Sequence, residues 1–129
     1  MRRRHVKTII LYYRGIPEML KLLKQEQESL KSDTGQQNRP QEVTVKIEVL
    51  ESDAETIQSC IDLLNGKYKR LIRMRYLSKY SWAGIAVRMG VSESTVRNWH
   101  ERAMDRLTEV LEEIPMIEEI LSRASHARE

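Results

Sequence analysis

The chain is expected to be all-α, with an N-terminal helical hairpin or oligomerising helical element followed by a C-terminal helix-turn-helix. Three observations predict this. Apolar residues recur every three or four positions over much of the 129 residues, as one face of a helix requires. β-signal is confined to Val43-Thr44-Val45. Between residues 81 and 99, small, glycine and apolar residues fall at the spacing that two closely crossed helices need.

In chain order, the first stripe is Val6, Ile9/Ile10, Tyr13, Ile16, Met19/Leu20, Leu23 and Leu30, suited to pairing with another helix. Gly15-Ile16-Pro17 interrupts it and reads as a kink or a fresh helix start, because Pro followed by Glu suits a first turn. The polar stretch SDTGQQNRPQE, residues 32–42, reads as a linker reaching to about residue 44. A second helix is expected over 45–64 from Ile47, Leu50, Ala54, Ile57, Ile61 and Leu64. Its Glu48, Glu51, Asp53 and Glu55 sit near that expected start, where acids oppose the helix dipole favourably. The predicted division is an N-terminal helical region over 1–63, a helix-turn-helix domain over 64–114 and a helical tail over 115–129.

From Lys67 the pattern sharpens. KYKRLIRMRYL reads as a helix, Ser81 can cap the next one, WAGIAVRM, and Gly90 can leave it through a left-handed turn. Ser92 can then cap a third helix opening at Glu93. Ile85, Met89, Val91, Val96 and Trp99 occupy the positions that pack two such helices together, and Ala86 is small enough for a close crossing. With Val96 and Trp99 turned inward, Glu93, Ser94, Thr95, Arg97, Asn98 and Glu101 are the candidate base-contacting residues. Arg97 offers a fork to guanine and Asn98 a donor–acceptor pair to adenine. Candidate phosphate contacts are Arg70, Arg73, Arg75, Lys79, Ser81, Arg88, Ser92 and Arg102.

Charge segregation agrees with a polyanion partner. Residues 1–25 carry seven Lys and Arg against one acid, and residues 64–107 carry ten against three. Residues 26–63 and 108–129 are acidic instead. Double-stranded DNA is therefore the expected partner. A short helix-turn-helix gains specificity by pairing, so self-association through residues 1–63 is expected, with a dimer favoured.

The stretch RLIRMRYLSKYSWAGIAVRMGVSESTVRNWHERAMDRL resembles region four of bacterial sigma factors. In that family a helix ending in a basic-aromatic-Leu run precedes a capped IAxxxGVS segment and a TVRxxxxRAxxRL recognition helix. Two departures stand out: Ala83-Gly84 replaces the usual acid in the scaffold helix's first turn, and Trp99 is bulkier than the usual aliphatic. With its short helical N-terminal half, the whole chain looks most like the RinA/ArpU-type sigma-like regulators of phage late genes. That resemblance implies a promoter-binding activator in the bacterial cytoplasm that also touches host RNA polymerase.

No enzyme is expected, and no cofactor or metal. His5, His100 and His126 lack partners at ligand spacing, and no phosphate-binding glycine loop is present. His100-Glu101 reads as a surface pair. Cys60, the single cysteine, is expected to be a buried thiol, and Met74, Met89 and Met104 to be core filler. The opening MRRRHVKTIILYY has too short an apolar run for a signal peptide or membrane span. Two other functions fit the same pattern: a phage small terminase subunit that recognises packaging DNA, and a polymerase-binding module that never touches DNA.

Overall fold

A computed structural model describes residues 1–31 and 39–127. Among the described residues it is helical without strands: α1 Arg3–Lys31, α2 Arg39–Asp62, α3 Gly66–Ile72, α4 Trp82–Met89, α5 Glu93–Glu112 and α6 Ile117–Ala127. No helix among them is long and apolar enough to cross a membrane.

α1 runs through Pro17 as a single helix, so Gly15-Ile16-Pro17 does not start a new one. α1 and α2 form an antiparallel hairpin. Tyr13 near the start of α1 meets Gln58 near the end of α2, and Gln27 near the end of α1 meets Thr44 near the start of α2. The expected linker lies outside the described residues over 32–38, but residues 39–44 belong to α2. Helix is favoured there because Val43 and Ile47, one turn apart, are both buried, while Glu42 occupies the first turn. The short β-like tripeptide is therefore helical. Asp53, expected near a helix start, is instead in the interior of α2 and buried at 1% exposure.

That aspartate holds three helices together. Arg123 of α6 donates to both its carboxylate oxygens at 2.7 and 2.8 Å, and the Tyr12 hydroxyl of α1 donates to Oδ2. Burial, followed by the hydrogen bond to Asp53, pushes the Tyr12 phenol far up, so it remains a donor. Ile9, Ile57, Leu71, Leu107 and Ile120, from both sides of the expected boundary at residue 63, belong to one core cluster. Cys60 is buried within it and burial raises its thiol pKa. Met74 and Met104 are buried in the same cluster, with Met89 packed on its edge.

Candidate nucleic-acid interface

Two short helices, α3 and α4, and the longer α5 build the turn. Asn65 caps α3 by accepting from the Tyr68 amide. α3 then runs on into a wider turn over Arg73–Leu77, closed by the Ser78 amide donating to the Arg73 carbonyl five residues back. That extra residue per turn departs from the regular helix expected for KYKRLIRMRYL. It leaves Met74 and Tyr76 buried and Arg73 exposed. Ser81 caps α4 by accepting from the Gly84 amide at 3.0 Å, and Ser92 caps α5 by accepting from the Thr95 amide at 3.2 Å. Gly90 ends α4 at φ +69°, the left-handed conformation that glycine adopts without a Cβ penalty. Ile85, Ala86 and Val96 are buried between the helices, and Val91 packs against them.

On α5, Glu93, Ser94, Arg97, Asn98, Glu101 and Arg102 are exposed, and Thr95 is half-buried. Ser92 is exposed too, with its hydroxyl also within hydrogen-bond distance of Ser94 and Thr95. The Arg97 guanidinium lies 5.2 Å from the Trp82 ring centroid, and that of Arg75 lies 4.2 Å from it. Trp82 thus gathers two cations at the foot of α5. Glu101 is exposed but engaged, because Arg3 of α1 pairs with it and, at 2.7 Å, with Asp105. Any base contact by Glu101 competes with that pair.

The expected phosphate contacts separate into groups. Arg75 and Lys79 flank Trp82, and Arg75 is anchored by donating to the Tyr80 carbonyl at 3.2 Å. Arg70 donates to the Arg88 carbonyl at 3.4 Å, while Arg88 lies 4.0 Å over the Tyr80 ring. Arg73 faces α2 instead, where Asp62 pairs with it at 3.4 Å and with Lys69 at 3.6 Å. The Gln58 amide and those two cations hold the Asp62 carboxyl below its ordinary pKa.

Trp99 is half-buried rather than enclosed. It packs against the core with the Lys67 ammonium 4.4 Å from its ring centroid. Trp99→Ala should therefore cost about 2 kcal/mol, below the roughly 3–5 kcal/mol of a fully enclosed tryptophan. Thermal melting together with DNA binding checks this. A variant that melts like the parent but binds poorly would place Trp99 against DNA.

Sequence reasoning missed His100 and the N-terminal arginines. His100 is not a surface partner of Glu101: its Nε2 lies 2.6 Å from the Tyr76 hydroxyl, and its ring meets Trp82 edge-on at 4.9 Å. Burial raises the Tyr76 phenol and lowers the His100 imidazole, so both partners of this contact stay uncharged at neutral pH. The folded chain resists a proton that the unfolded chain takes up below about pH 6.5. The stability held above that pH should thus be lost as pH falls through the lowered folded value. Urea unfolding between pH 7 and 5 checks this, and His100→Gln should flatten the slope. The signal that could have found the arginines was the basic block of residues 1–25, whose folded position lies beside α5.

Residues 54–107 match the family model described as Sigma-70, region 4. The match begins inside α2 and takes in the last nine residues of that helix. A search of curated proteins and of solved structures finds no match.

Proposed function

We propose that this chain, whose residues 54–107 carry a sigma region-four-like domain, is a sequence-specific transcriptional regulator of the RinA/ArpU type, a phage-encoded activator of late genes. One observation carries the reading. Arg97 and Asn98 stand exposed in the second turn of a capped helix, immediately after Val96 at 0% exposure. Packing fixes the helix's inner face and so aims the fork and the amide at whatever the helix enters. Base edges in the major groove match both groups. The region-four resemblance supports a contact with host RNA polymerase in the same promoter complex.

Pairing of two copies belongs to this reading, because one short recognition helix reads few base pairs. Leu22 and Val45 on the hairpin, each 56% exposed, offer apolar surface for it. Selection of preferred sequences from a random duplex pool tests the whole reading. A recurring motif of a few base pairs is the expected result, and a pool that stays random after repeated rounds would overturn it.

A further inference from the structure

The N-terminal turns of α1 lie outside residues 54–107, yet they face the recognition helix. Arg3, Arg4, Lys7 and Arg14 lie along one side of α1, away from the buried Ile9 and Ile16. That side meets Arg75 and Lys79 across a cleft of about 480 Å³, floored by Leu11, Tyr76, Trp82, His100 and Met104. Six cations line the cleft and no acid does.

Several details show these cations held in place rather than scattered. Arg3 is fixed by Glu101 and Asp105 of α5, so its charge is already spent on those two acids and five cleft cations remain outside any ion pair among the described residues. Arg14 donates to the Tyr76 carbonyl at 3.2 Å, and Arg75 to that of Tyr80. Each bond uses a neutral acceptor and leaves the positive charge uncompensated. Lys79 sits at φ +61°, a left-handed conformation uncommon for a residue with a Cβ. The first turn of α1 holds arginines and no acid, the unfavourable arrangement for a helix dipole, at about 0.3–1 kcal/mol per misplaced charge.

We propose that this cleft takes phosphodiesters of the DNA backbone flanking the site read by α5, so that α1 acts as a second, sequence-independent arm of the interface. The geometry favours DNA over a small anion. Glu101, where Arg3 is anchored, is four residues and thus about 6 Å beyond Arg97 along α5. A strand bordering the groove entered by Arg97 would run past the same cations. The inference rests on the DNA-binding reading above.

The test uses the full chain with Arg4→Gln and Lys7→Gln together. Both residues are exposed, and neither belongs to an ion pair among the described residues. Fluorescence anisotropy with a random-sequence duplex across a salt series is the readout. Losing two phosphate contacts should flatten the slope of log affinity against log salt by about 1.8 and weaken binding about 30-fold near 0.15 M salt. The charge-keeping swap Arg4→Lys with Lys7→Arg should restore most of the affinity, and matching melting curves exclude a folding effect. A parent that binds no duplex at low salt brings down both this inference and the DNA-binding reading. A parent that binds, with a double variant of equal affinity and slope, brings down this inference alone. Saturation of the parent by sub-millimolar inorganic phosphate, with DNA affinity untouched by the double variant, would instead mark a small-anion site and overturn it.

Discussion

Arg123→Met should destabilise the fold by about 3–5 kcal/mol, more than Asp53→Ala, which should cost about 2–3 kcal/mol. The asymmetry follows from exposure. Asp53 is 1% exposed, whereas the Arg123 side chain is 38% exposed. Removing the arginine strands a carboxylate inside the protein with, among the described residues, the Tyr12 hydroxyl as its one remaining hydrogen-bond donor. Removing the aspartate leaves a guanidinium that water can reach, together with one buried hydroxyl lacking its acceptor. Because the triad joins α1, α2 and α6, either loss should lower the melting temperature by on the order of 10 °C. Urea unfolding of both single variants and the double variant gives the comparison. The double variant should cost less than the sum of the singles, since it strands no charge. Equal single costs, or strict additivity, would mean that the triad is solvated in solution and does not clamp the hairpin to α6.

The sequence carried the helix-turn-helix almost entirely, because its determinants are local. Two serine caps, one left-handed glycine and the inward positions Ile85, Ala86 and Val96 all lie between residues 81 and 96, and each takes its role from near neighbours. The start of α2 was hidden by composition. Residues 39–42 are polar, and the helix there depends on Val43 and Ile47 finding the core, which is a tertiary event. Asp53 was misread for the same reason: on a helix beginning at 45 it is a first-turns acid, and on one beginning at 39 it is an interior charge needing partners from α1 and α6. The cationic cleft was legible only as net charge. Its assembly depends on Arg3 reaching residues about a hundred positions away, and no periodicity along the chain encodes such a contact. Charge segregation told that two basic blocks exist; packing alone set Arg3, Arg4, Lys7 and Arg14 of the first across from Arg75 and Lys79 of the second.

Arg97→Ala and Asn98→Ala should each cost about 1–3 kcal/mol on the preferred duplex and little on random DNA. The direction of both side chains is set by what surrounds them: Val96 is fully buried, Trp99 is half-buried against the core, and residues 97 and 98 between them are exposed. Arg97 does not stand free in the unbound chain, because its guanidinium rests 5.2 Å from the Trp82 centroid. That contact limits how far the side chain must reorder on binding, so Arg97→Lys should lose most of the discrimination although it keeps the charge, the ammonium having no fork. Asn98 has no such rest and depends on its amide alone. These effects differ in kind from those of Arg4 and Lys7: a base contact changes the ratio of specific to non-specific binding, whereas a phosphate contact shifts both together. Sequence selection from a random pool with the parent and with Asn98→Ala separates the two. The parent should enrich a motif with a fixed adenine, and the variant should relax that position while keeping the others. Identical motifs would show that Asn98 reads no base, and that discrimination on α5 comes from Arg97 and the hydroxyls of its first turn.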